Sequence, residues 1–293
     1  MDRRSQAIQN ALPILARAVG RKLDVEVVVG GNLACTNGKR IQIPSLPFSD
    51  PEVETLAFGY LEHEAAHVRY TEAVDSTSGL HQTLSKIFED IRIESLLGQE
   101  YPGFAVTLRK LVSVLVKDGE FTPPGVDDPI AEKMAKYILF RLRSQTLGQK
   151  AVEDYAQIAE KLFRDAVPPG AGTRVGSVLG RARDMQSTQD ASDLALEVIQ
   201  ILEDEKDQIP KPDPPDTSQP GQESSQKQSD KGNAPNSSDN AMRQTLADLL
   251  ASDGAPQVAD LGEQTGAKLQ EAAGKAMKDS GGMGAGIGNA SVP

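Results

Sequence analysis

The clearest chemistry in this chain lies in five consecutive residues, His63-Glu64-Ala65-Ala66-His67. On a helix, positions i and i+4 share a face one turn apart, with Cβ atoms about 5–6 Å apart. Both imidazoles can then reach one ion at roughly 2.0–2.1 Å. Glu64 sits one residue round from His63, so its carboxylate can meet a water on that ion without itself being a ligand. A zinc ion (Zn2+) lowers the pKa of its bound water to about 7. Glu64 is therefore the expected catalytic general base, taking the water proton and handing it to the leaving amine in peptide hydrolysis. The chain has only three histidines, and two of them fall in this pattern.

A zinc site that keeps one position open needs a third protein ligand. No histidine stands six residues after His67; that position is Ala73. His81 fits a surface or substrate-contacting position better than a metal-binding one. The segment Phe88-Glu89-Asp90-Ile91-Arg92-Ile93-Glu94 offers more. Three acids inside a mostly apolar helix are costly unless paired or metal-bound. Asp90 and Glu94 are one turn apart on a face with Ile87 and Leu97, and Glu89 points about 100° away from Asp90. Either Glu89 or Asp90 is the expected third metal ligand, and spacing does not choose between them. Glu94 is expected to hold a ligand histidine by its second ring nitrogen.

The elements that must position these groups are legible from periodicity. Residues 4–19 read as a helix containing Pro13, which predicts a kink or a later start. Residues 23–29 read as a strand. Asn37-Gly38 is a tight-turn signal between two further short strands, and a small antiparallel meander is expected. Asp50 as N-cap and Pro51 at the first position open a helix to about Val74. Residues 75–79 break it; the motif Asp75-Ser76-Thr77-Ser78-Gly79 reads as a loop. A second helix should run from about Leu80 to Leu97. Further helices are expected at 104–117, 128–146, 149–166, 173–185 and 190–205, with breaks at Pro123-Pro124-Gly125 and Pro168-Pro169-Gly170. The pairs Arg109-Lys110 and Arg141 with Arg143 read as solvated charges. Residues 207–240, an acidic Pro/Ser/Gln segment, bury too little apolar area to offset their ordering entropy and read as a disordered linker. Residues 241–293 read as a weakly helical, Gly-rich tail.

Composition narrows the setting. A formal net charge of -11 repels phosphate backbones and anionic membrane surfaces, so nucleic acid and membrane are not expected partners. The single cysteine, Cys35, excludes an internal disulfide and fits a reducing compartment, where it reads as a buried strand residue. There is no Trp and aromatics make up 4% of residues, so an aliphatic core is expected. No stretch reaches the roughly 18 apolar residues of a membrane helix, and the N-terminus lacks a signal-peptide pattern. A soluble, cytoplasmic protein is the expectation.

His63-Glu64-Ala65-Ala66-His67 followed by Glu89 and Asp90 resembles the gluzincins, in which the third ligand is an acidic residue on a following helix. Their ligand is commonly followed one turn later by Asp; Asp90 to Glu94 has that spacing with the residue types exchanged. The stretch Leu61 to Glu94, closing on Glu-Asp-Ile-Arg-Ile-Glu, is also similar to the N-terminal region of cobaltochelatase T-subunit-like proteins. Those proteins typically carry an acidic linker and a C-terminal von Willebrand A domain and work beside a MoxR-type AAA+ ATPase. This sequence contains no such domain. The expected fold is α+β: a zincin-like metal-binding core over 1–100, mostly helical with a small antiparallel sheet, and a helical subdomain over 101–206. The expected function is zinc-dependent hydrolysis of a protein or peptide substrate. The alternative is a non-catalytic cobaltochelatase-like subunit working with an AAA+ ATPase.

Overall fold

A computed structural model describes residues 3–20, 26–30, 34–36, 40–46, 48, 50–75, 77–209, 237–251, 256, 258 and 260–281. The fold is α+β and mostly helical. Helix α1 (Arg3–Gly20) leads into three short strands, β1 (Glu26–Val29), β2 (Cys35–Thr36) and β3 (Arg40–Ile43). Helices α2 (Pro51–Tyr70) and α3 (Gly79–Glu100) follow, then α4 (Pro102–Lys117), α5 (Ile130–Gln145), α6 (Glu153–Ala166), α7 (Pro169–Arg181) and α8 (Thr188–Gln208). Two more helices close the described chain, α9 (Ser237–Leu250) and α10 (Leu261–Gly281).

The sheet corrects the expected antiparallel meander. Its order is β1-β3-β2; β2 pairs antiparallel with β3, but β1 pairs parallel with it. A tight turn can fix only the β2–β3 pair, and β3 then inserts between β2 and β1. The register Val27↔Ile41 and Val29↔Ile43 turns Val27, Ile41 and Ile43 into the core. Asn37 and Gly38 lie outside the described residues, as do residues 210–236 of the linker and the Gly-rich stretch beyond 281. The last residues assigned to the linker, 237–240, are helical.

Capping explains the helices that carry the site. The Asp50 side chain accepts a hydrogen bond from the Glu52 amide at 2.8 Å, and Pro51 starts α2. The helix stops at Tyr70, four residues early, because Thr71 turns extended to bring its hydroxyl between α2 and α3. Ser78 caps α3 by accepting from the His81 amide at 3.1 Å. α3 runs through Gly98, where a Cβ would lie 3.2 Å from that of Ala105, so the glycine permits close packing on α4 rather than ending the helix. α1 continues through Pro13. Pro169 opens α7 instead of breaking it.

α3 sits at the centre, packed against α2, α4, α5 and α8. The core is not purely aliphatic: five of the seven phenylalanines, Phe48, Phe88, Phe121, Phe140 and Phe163, are fully buried in it. The few aromatics are spent where their area counts most. Cys35 lies in a strand but is exposed. Among the described residues, no helix is long and apolar enough to cross a membrane.

Candidate metal centre

α2 and α3 lie side by side and present His63, His67 and Asp90 to one point, with one ligand atom from each all within 4.8 Å of one another. The two Nε2 atoms are 3.2 Å apart, and His67 Nε2 is 3.3 Å from Asp90 Oδ1. Two ligands held at about 2.0–2.1 Å in tetrahedral geometry would be about 3.3 Å apart, so these spacings fit a small divalent ion.

The protons point to the same conclusion. Thr71 Oγ1 donates to Glu89 Oε1 at 2.7 Å. It must therefore accept from the His67 ring nitrogen Nδ1 that lies 3.0 Å away. His67 then carries its proton on Nδ1 and leaves Nε2 bare. His63 Nδ1 has Glu94 Oε1 at 3.3 Å, close enough for charge pairing although not aligned as a hydrogen bond. That contact favours the proton on Nδ1 here too. The two Nε2 atoms, 3.2 Å apart, need positive charge between them: either a protonated His63 donates to His67, or a cation takes that proton's place. The residues present thus fit a metal ion, with His63, His67 and Asp90 as its ligands.

Glu89 does not join them. It is clamped by Arg92, whose Nε and Nη2 donate to its two oxygens at 2.7 and 2.6 Å. Thr71 and Thr188 donate to the same carboxylate at 2.7 and 3.1 Å. Both oxygens of Glu89 are occupied, and its link to His67 runs through Thr71.

Glu94 plays the matching part for His63. Arg143 donates to both of its oxygens at 3.2 Å, and the Gln149 amide donates to Oε2 at 3.2 Å. Burial opposes ionisation of Glu94, but the Arg143 guanidinium and His63 overcome it and hold the carboxyl down at about 2. Burial likewise opposes charge on His63, yet Glu94, Asp90 and Glu64 together raise it to about 9. Each ligand histidine is thus backed by a buried carboxylate that is itself held by a buried arginine. Such outer contacts fix ring orientation and tautomer.

Several of these partners were not expected. Arg143 reads in sequence as a solvated charge, but it is fully buried. The signal was present, because Leu139, Phe140 and Leu142 flank it and all are buried. Thr188 and Gln149 come from distant segments and carried no local signal. His81 is neither at the surface nor in contact with the cavity. It is buried between α3 and α8, with Nδ1 accepting from the Thr77 amide at 3.0 Å and Nε2 3.1 Å from Ser192 Oγ. Asp75 lies in the loop and borders the site.

The ligand atoms open into a cavity of about 410 Å³ bordered by Thr36, Glu64, Glu72, Lys86 and Asp260, among others. Glu64 is nearly buried there. Burial lifts its carboxyl above the usual carboxylate range, against the pull of His63 and His67, with Asp260 and Asp90 adding to the rise. Such a carboxyl is suited to exchanging a proton with a group in the cavity.

A family profile described as "Cobalamin biosynthesis protein CobT" matches residues 2–279 of the chain. The chain belongs to the CobT family. Neither a curated protein nor a solved structure was found to match it. The match spans α2 and α3, the helical region and α10 alike, so the candidate site lies within the family's own extent.

Proposed function

We propose that this CobT-family chain is a cobaltochelatase-like subunit that holds a divalent metal ion and works with an AAA+ ATPase partner. The observation that carries this reading is the family match over residues 2–279. The convergence of His63, His67 and Asp90 supports a metal site on the chain itself. Imidazole and carboxylate donors suit zinc or cobalt better than calcium or magnesium. The experiment is a titration of the apo-protein with Zn2+ and with Co2+, followed by capture of partners from the source cell's extract. One ion per chain, lost in His63→Ala, together with recovery of an AAA+ ATPase, supports the reading. Absence of both overturns it.

A second reading, zinc-dependent hydrolysis of peptide bonds, is favoured by one observation. Glu64 borders the same cavity as the three ligand atoms. A zinc ion there would supply an acidified water. Glu64 would accept a proton from within the cavity and return it to the leaving amine, while Glu94 and Glu89 hold the two imidazoles in place. Glu64→Gln should retain one metal ion per chain and abolish cleavage of an unstructured protein such as casein. Cleavage that persists in this variant rules the reading out.

A further inference from the structure

Helix α10 returns to the metal centre from the far end of the chain. Asp260 caps it, accepting from the Glu263 amide at 2.8 Å, and also borders the cavity. The first turn sits directly on the site. A Cβ placed on Gly262 would lie 2.7 Å from Glu64 Oε1 and 3.3 Å from His63 Cδ2. One turn on, a Cβ at Gly266 would lie 3.5 Å from the Tyr60 ring and 3.6 Å from the Ala34 Cβ. The buried face is Leu261, Gly262, Thr265, Gly266, Leu269 and Ala273, and its two glycines let the backbone approach α2 closely. Gln270 Nε2 donates to the Ala34 carbonyl at 3.3 Å, just before edge strand β2. α10 therefore fills the groove between the end strand of the sheet and the helix bearing both histidines.

Its packing is concentrated on one element, α2. Among its described side chains, the fully buried apolar ones are Leu261, Leu269 and Ala273. The charged anchor is Lys268, 3.4 Å from Asp118 and 3.1 Å from Glu120, with all three partly exposed. At 20–31% exposure these contacts are partly screened by solvent. The segment is also joined to the rest of the molecule through α9 and residues 251–260, not through the metal-bearing helices.

We infer that α10 is a displaceable occupant of the groove between β2 and α2, and that its release opens the Glu64 side of the metal centre. This rests on the metal-site reading above. Segments of low local stability open without global unfolding, so the groove would alternate between α10 and an incoming ligand.

Two full-length variants test it, Lys268→Glu at the anchor and Gly262→Val at the close approach. Hydrogen exchange reads docking of residues 261–281, and transfer of bound Zn2+ to a chromogenic chelator reads access. The expected result is faster exchange in α10 in both variants, with α2 and α3 still protected, and metal transfer at least tenfold faster. If Gly262→Val fails to fold, Lys268→Glu still decides, because it sets a further negative charge against Asp118, Glu120 and Glu271. Exchange in α10 as slow as in α3 in both variants, or metal transfer that stays at the wild-type rate after α10 has undocked, overturns the inference. A wild-type protein that takes up no metal instead sinks the metal-site reading, and hydrogen exchange alone then decides whether α10 is displaceable.

Discussion

Glu89 and Asp90 are neighbours in sequence on α3 but have separate surroundings. Asp90 faces His67 at 3.3 Å, whereas Glu89 is held by Arg92 at 2.6 and 2.7 Å. Their variants should therefore fail in opposite ways. Asp90→Asn should fold with little loss of stability and lose metal affinity by more than about a hundredfold, beyond the roughly 10–100-fold typical of outer contacts. Glu89→Gln leaves Arg92 buried without its counter-charge, a loss of about 3–5 kcal/mol. Thermal melting and metal titration of the two variants separate these outcomes; equal metal loss with equal melting would refute the assignment. The histidine pair was readable because four-residue spacing alone places it on one face. The choice between the two acids was not, because it depends on Arg92 and on Thr188, a residue about a hundred positions away whose hydroxyl meets Glu89. Glu62 offers a pH test on the opposite side of α2. Burial pushes its carboxyl from 4.5 up to about 9, a Thr107 hydrogen bond opposing only weakly. The native state then binds this proton more tightly than the unfolded chain, so its contribution is complete below pH 4.5 and fades as pH rises towards about 9. Glu62→Gln should melt higher than wild type by a margin that grows across this window. A margin independent of pH would show that Glu62 is not protonated in the fold.

At the scale of elements, α5 and α8 matter to the centre as much as the two helices that carry the ligands. α5 contributes Arg143, which is fully buried against Glu94. Arg143→Met removes the partner that keeps Glu94 ionised, so it should lower metal affinity by about 10–100-fold and destabilise the apo-protein by about 3–5 kcal/mol. Isothermal titration beside chemical denaturation checks both, and unchanged affinity would show that Glu94 holds His63 unaided. α8 is fixed by a capping box, with Ser187 accepting from the Asp190 amide at 3.1 Å and Asp190 from the Ser187 amide at 2.9 Å. Ser187→Ala should cost about 1 kcal/mol. Helix periods and caps were legible because they are local, and Asp50-Pro51 marked the start of α2 correctly. Pairing partners were not local. Nothing within Glu26–Val29 specifies that β3 lies parallel beside it, and nothing around Arg143 specifies a buried acid 49 residues earlier.

For the molecule as a whole, the candidate metal centre lies at a joint. His63 and His67 belong to α2, which carries α1, β3 and α10; Asp90 belongs to α3, which carries α5 and α8, and α4 packs on both. An ion bound by all three would add a further tie between the α2 and α3 halves, which are already joined by apolar packing and by contacts such as Arg69 and Tyr70 to Glu100 and Thr71 to Glu89. The position of α10 was unreadable for the same reason, since its docking surface is assembled only when α2 and the sheet have come together. A ligand that binds only the folded state stabilises it by about 4 kcal/mol at a thousand times its dissociation constant. For a chain of this size such a gain raises the melting temperature by on the order of 10 °C. Wild-type protein with saturating Zn2+ should thus melt about 10 °C above the same protein in chelator, with the difference depending on free metal. His63→Ala and Asp90→Asn should show no such difference. Because the ion spans both halves, the gain should appear as one cooperative transition reported equally by signals from α1 and from α8. A shift confined to either half would mean that the ion is held by one helix alone, and the three-ligand centre would have to be abandoned.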